Sequence, residues 1–163
     1  MKKIVISGVA AFLMSWLMNT ANAQFAYSAL NVNNGAFFNN NIHSKAMQHF
    51  IKEYKNATDI TWCRLNNGML QVHFFVDGIQ TKISYNKQGH AVSMIRYYTQ
   101  DQLPQEVKRM VKSIYYDFNI FLVTEVTVGS KTACLVKIRN ETCTKTLRVM
   151  NGEMDVLEEF ENL

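Results

Sequence analysis

Helical spacing begins after Asn41: Ile42, Ala46, Phe50 and Tyr54 recur at intervals of four, with Met47 and Ile51 beside them. That is one apolar stripe on a three-turn helix, with Lys45, Gln48, Lys52 and Glu53 on the other side. Asn41 or Ser44 is suited to cap its start. The period then drops to two. Asn67-Gly68 and Asp77-Gly78 are the dipeptides that type I′ hairpins favour, because both central residues need positive φ, and Asn86 to Gly89 encloses a third turn. With two-residue loops, Cys63 lies opposite Val72, Leu65 opposite Leu70, Val72 opposite Ile83 and Phe74 opposite Thr81. Leu65, Leu70, Val72, Phe74, Val76, Ile79 and Ile83 then share a core face, which a one-residue slip would destroy. The other face collects Trp62, Arg64, Gln71, His73, Phe75, Gln80 and Lys82, with Trp62, His73 and Lys82 in a row across three strands.

A second amphipathic segment follows. Pro104 fits a first helical turn, where its missing N–H costs nothing. Leu103, Val107, Met110, Val111, Ile114 and Phe118 form its apolar stripe, with Lys108, Arg109 and Lys112 outward. Strand spacing returns with turn candidates at Gly129-Ser130, Asn140-Glu141 and Asn151-Gly152, offset by 62 or 63 residues from the first three. This punctuation predicts a duplicated unit, a helix and then a four-stranded antiparallel meander, with repeat one at 42–98 and repeat two at 99–162. In the second half Cys134, Val136, Ile138, Cys143, Leu147, Val149 and Val156 share a face that also takes Lys145. The predicted class is α+β: two tandem units forming a two-layer domain, a broad antiparallel sheet with both helices on one side. The other side is open unless the chain's own leader covers it.

Residues 1–23 change the setting. Lys2 and Lys3 precede an apolar run from Ile4 to Met18 that is short for a membrane span, and Ala21-Asn22-Ala23 supplies small residues for cleavage. This is the pattern of an export signal, placing the protein in the periplasm or outside a bacterial-type cell. Gln24 follows the cut where a lipid anchor would need Cys. Cleavage leaves 140 of the 163 residues and lowers the formal charge from +4 to +2. No dense Lys/Arg cluster suggests nucleic-acid binding. Residues 24–41 carry no charge and are rich in Asn, which reads as a flexible leader. The three cysteines permit one internal bridge at most. All three project to core faces in this register, with Cys143 opposite Ile138 and Cys134 beyond disulfide reach of it.

Candidate chemistry is sparse. His43, His49, His73 and His90 lack the spacing of a zinc-binding helix and sit beside no Cys or carboxylate in a metal pattern. Glu158, Glu159 and Glu161 read as a solvated terminal run. No glycine-rich phosphate loop, nucleophile elbow or convergent polar trio appears, so neither an enzyme nor a cofactor or metal is expected. Aromatic residues on an otherwise polar strand face are the kind that anchor interfaces. Trp62, His73, Phe75 and Lys82 are therefore the expected partner-binding residues.

FIKEYKNATDITW (50–62), the V-x-F-x-x-D-G of Val72 to Gly78, Tyr85 with Gly89, and LPQEVKRMVKSIYYDF (103–118) together resemble the exported bacterial PepSY-like proteins, a group similar to beta-lactamase inhibitor protein. The resemblance spans about residues 42–160 and rests on fold-determining positions. It implies tandem helix-plus-sheet units and a non-enzymatic protein. In the beta-lactamase inhibitor the concave sheet grips an enzyme, but no motif carries that target over. The expected function is an exported binding module presenting its open sheet face to a protein or peptide. The alternative is a small-ligand carrier with a pocket between helices and sheet.

Overall fold

The computed structural model describes residues 42–162; the expected signal and leader lie outside the described residues. Helix α1 (Ser44–Glu53) is followed by strands β1 (Thr58–Arg64), β2 (Leu70–Val76), β3 (Ile79–Tyr85) and β4 (Ala91–Tyr98). Helix α2 (Gln105–Ile114) precedes β5 (Asn119–Val128), β6 (Lys131–Arg139), β7 (Cys143–Met150) and β8 (Glu153–Glu161). The strands form one eight-stranded sheet in chain order, and every neighbouring pair is antiparallel. The class is α+β, as the alternation of periods predicts.

Of the two expected caps of α1, Asn41 lies outside the described residues and Ser44 does not cap. His43 takes the cap position and its Nδ1 accepts from the Lys45 N–H at 3.3 Å, while Ser44 is already helical. The contact requires Gly89, because a Cβ there would fall 2.5 Å from His43 Nδ1 and 3.0 Å from the Ala46 nitrogen. Pro104 stands one position ahead of the first residue of α2.

Both helices cover the same side of the sheet, each over its own core. Under α1, Ala46 and Phe50 pack on Leu70, Val72, Phe74, Ile83 and Tyr85. Under α2, Leu103, Val111 and Phe118 pack on Ile120, Val123, Cys134, Val136, Ile138, Leu147 and Val149. Three positions of the expected apolar faces are open instead. Ile51 on α1 and Ile114 at the end of α2 turn outward, and Val156 lies on the edge strand β8; all three are exposed.

The Asp77-Gly78 and Asn151-Gly152 turns behave as expected, with positive φ at both residues and Val76 opposite Ile79, Met150 opposite Glu153. Asn67-Gly68 does not. Gly68 alone takes positive φ (+79°), the Gly68 N–H donates to Leu65 O, and Leu65 N–H donates to Met69 O. The loop is therefore three residues long, the tight turn plus left-handed glycine that adds one residue to a hairpin. Arg64 pairs with Leu70, Trp62 with Val72 and Cys63 with Gln71. The added residue inverts β1 relative to the two-residue reading. Trp62 goes to the helix side, and Cys63 goes to the open side. At the Asn140 hairpin the loop is longer by two. Asn140 Oδ1 accepts from the Thr142 and Cys143 N–H groups, and Ile138 pairs with Lys145 rather than Cys143. A shift of two leaves the faces unchanged. All three cysteines are free thiols.

Candidate interaction face

Alternation along each strand sorts the sheet into a helix side and an open side. Among the described residues no element covers the open side of β2 to β6. Its cross-strand rows follow from the registers. One runs His73, Lys82, Ile95, Val126, Ala133; the next runs Phe75, Gln80, Tyr97, Thr124, Leu135; Leu122 opposite Lys137 begins a third. Gln71, Ser84, Ser93 and Ala133 are buried on this uncovered side.

The expected residues fare differently. His73 and Lys82 are directly paired, and Phe75 lies two residues along β2 on the same side, 39% exposed. Trp62 is not among them. Its ring meets Phe50 edge-on at 5.5 Å and lies 5.6 Å from Tyr85, inside the α1 core. The residue beside His73 on β1 is Thr61.

His73 is held by its neighbours. Its Nε2 lies 2.6 Å from Gln71 Oε1, and Gln71 donates through Nε2 to Ser84 Oγ at 3.1 Å. A His nitrogen facing an amide oxygen must be the donor. Burial, helped by the Lys82 charge, pulls the imidazole down to about 4, so it is neutral near pH 7. The Lys82 ammonium sits over the Tyr97 ring at 5.1 Å, and the Arg139 guanidinium over Phe121 at 5.4 Å. Phe121, at a bulge in β5, is 43% exposed. Sequence reasoning missed Ile95, Tyr97, Phe121, Lys137 and Arg139, because outer faces were assigned only across the first three strands. The alternation in IRYY (95–98) and LVTEV (122–126) carries the signal for two more.

The helix side holds a polar seam between the two cores. Arg96 Nη1 bonds Glu125 Oε1 at 3.1 Å, and Tyr98 OH donates to Glu125 Oε2 at 2.8 Å. Burial and the Glu125 carboxylate push the Tyr98 phenol well above its usual range. Burial likewise raises the Cys134 and Cys63 thiols, so neither is a thiolate near neutral pH. The four described histidines are dispersed: His43 caps α1, His49 Nδ1 meets Tyr85 OH at 3.0 Å, and His90 contacts Lys45. Among the described residues no three His, Cys, Asp or Glu side chains converge as a metal site. An open cleft of about 230 Å³ lies off the start of α1, lined by Ile42, His43, Arg64, Leu70 and Lys87 among others. It is at the sheet's end rather than beneath a helix.

No family model and no curated protein matches the sequence. Solved structures share its fold. A DUF2874 family protein from Bacteroides ovatus superposes with a TM-score of 0.56 at 18% identity, covering 72% of this chain and 86% of that one. A BLIP-like protein from Bacteroides fragilis gives a TM-score of 0.54 at 17% identity, covering 72% and 84%. A Bacteroides eggerthii chain whose name carries a provisional periplasmic designation gives 0.55 at 17%, covering 72% and 87%.

Proposed function

We propose that this chain is an exported, non-enzymatic binding module that takes a protein or peptide partner on the open face of its sheet. The observation that carries the reading is the uncovered face itself, where half-exposed Phe75 and Phe121 lie among Tyr97, Ile95 and Leu135 with cations at the margins. Apolar and aromatic surface flanked by charge is the composition of an interface anchor. The BLIP-like fold of one neighbour supports a protein-binding or inhibitor-like role in general. Residues 1–23 support export, and so does the periplasmic designation of another neighbour. Among the described residues no helix is long and apolar enough to cross a membrane. The order helix, four strands, helix, four strands supports reading 42–98 and 99–162 as copies of one unit, in keeping with the PepSY-like resemblance. His73, Phe75 and Lys82 remain in the proposed contact set; Trp62 leaves it. The small-ligand alternative has no observation in its favour, since the space beneath each helix is occupied by side chains such as Val72, Val111, Val123 and Val136, all 0% exposed.

The test is site-specific photo-crosslinking in the native host. A photoreactive residue at Phe75 or Tyr97 is expected to trap one reproducible protein, and the same residue at Lys108 or Ile51 on the helix side is not. Equal trapping from both sides, or none from the open side, would refute the reading.

A further inference from the structure

Resting on that open-face reading, we infer that the partner surface is acidic: a protein segment with carboxylates flanking aromatic or branched apolar anchors. The charge on the two sides of the sheet is unequal. On the open side of β2 to β6 the basic side chains are His73, Lys82, Lys131, Lys137 and Arg139, with no Asp or Glu. The carboxylate those strands do carry, Glu125, points to the helix side and is taken by Arg96 and Tyr98. Acids flank it on the outer strands: Asp59 lies at the irregular start of β1, and Asp155 and Glu158 lie on β8. There Asp155 is bound by Arg148, and Glu158 accepts from the Thr146 hydroxyl. Among the described residues, Lys82, Lys131, Lys137 and Arg139 have no carboxylate within ion-pair distance. Lys82 and Arg139 are propped on aromatic rings instead, which fixes their charged ends at the margin of the face.

Their placement frames an apolar centre. Lys82 on β3 and Lys137 on β6 are three strands apart, about 14 Å across the sheet at the usual strand spacing, and Lys137 lies four residues along β6 from Ala133 in the Lys82 row. Ile95, Tyr97, Val126 and Leu135 fill the rows between them. Two other occupants fit less well. The leader 24–41 carries no charge, so it would cover the apolar centre and leave the cations unanswered. A second copy docking face to face would set Lys82, Lys137 and Arg139 against themselves.

The probes are short fluorescein-labelled peptides alternating Glu with Tyr and Leu, a Gln twin and a Lys twin, titrated against the chain beginning at Gln24. The Glu peptide is expected to bind about tenfold or more tightly than the Gln twin at low salt. The gap should shrink as salt rises. Lys82→Glu/Lys137→Glu/Arg139→Glu should abolish the gap, whereas Lys52→Glu/Lys108→Glu/Arg109→Glu, equal in net charge but on the helices, should keep it. If the first triple variant melts early, the Gln versions of the same three replace it. Equal binding of Glu and Gln peptides overturns the inference. So does equal binding of heparin or phosphatidylglycerol vesicles, which would mark a general polyanion surface. Self-association in sedimentation that the open-face triple variant removes would assign the face to a second copy's acidic β8. Crosslinking from Phe75 that survives the charge reversals would sink the acidic partner and leave the open-face reading intact.

Discussion

At the scale of single residues, Trp62 and Phe75 offer the sharpest contrast, since both are large aromatics near the same edge of the sheet. Trp62 is wedged against Phe50, Tyr85 and Val72, so truncation opens a cavity in the α1 core. Trp62→Ala is expected to cost about 3 kcal/mol in chemical denaturation. Phe75→Ala, at a half-open position, is expected to stay within about 0.5 kcal/mol while weakening capture of a partner. A Trp62 variant that keeps its stability would place the ring outside the core. His73 gives a pH signature. Its folded value of about 4 lies below the ordinary 6.5. Between those values the unfolded chain binds the proton and the folded chain does not, so stability falls as pH drops from 6.5 towards 4 and levels off below. His73→Gln should flatten that segment of a stability–pH profile. An unchanged slope would mean that the imidazole titrates normally. Both roles were partly legible. An aromatic and a histidine in adjacent strands mark a candidate pair, but which side each occupies depends on register, and register is a property of the loop.

The loop between β1 and β2 shows how much one element decides. Asn67-Gly68 reads as a two-residue turn by composition, yet the chain closes it from Leu65 to Met69, and Asn67 Oδ1 accepts the Met69 N–H at 3.0 Å. That side-chain bond favours the longer loop, and nothing in the dipeptide alone distinguishes the two. The register of β2 with β3 was legible because Asp77-Gly78 does form the tight turn its residues favour, and His73 and Lys82 follow from it. The helices were legible from spacing. Their ends were less so, because Ile114 satisfies the periodicity but is the last residue of α2 and is exposed. Deleting Asn66 leaves Asn67-Gly68 as a two-residue turn between Leu65 and Met69, which keeps Arg64 opposite Leu70 and Trp62 under α1. A retained three-residue loop would instead slip β1 by one position and turn Trp62 to the open side. In the chain from Gln24, where Trp62 is the single tryptophan, the dipeptide's own preference and packing under α1 then agree, so its emission should stay blue and its melting cooperative. A red-shifted Trp62 with a lower melting temperature would show that a three-residue loop persists against both.

Across the whole molecule, two separate cores share one sheet, and what joins them is the β4–β5 pairing from Ser93 opposite Val128 to Tyr98 opposite Val123. On the helix side that junction carries the Arg96–Glu125–Tyr98 group beside the apolar contacts of Ile79, Tyr98 and Val123 in the α2 core. Backbone hydrogen bonds hold the strands together there, and the charged group is expected to couple the unfolding of the two halves. Glu125 is the better buried partner, and a Gln there keeps one accepting oxygen for Arg96 and Tyr98 while turning an N–H donor towards the other. Glu125→Gln is expected to cost about 1–3 kcal/mol, the usual penalty for a half-buried charge that loses its partner. If the junction couples the cores, the loss should appear with both in step: Trp62 fluorescence under α1 and near-ultraviolet circular dichroism of Tyr115 and Phe118 under α2 should melt together in the parent chain and separate in the variant. Arg96→Met/Glu125→Leu replaces the ion pair by apolar contact and should restore a single transition, because what the seam requires is matched partners rather than charge itself. Coincident melting in Glu125→Gln would instead assign the coupling to the strand hydrogen bonds alone and leave the seam with no part in cooperativity.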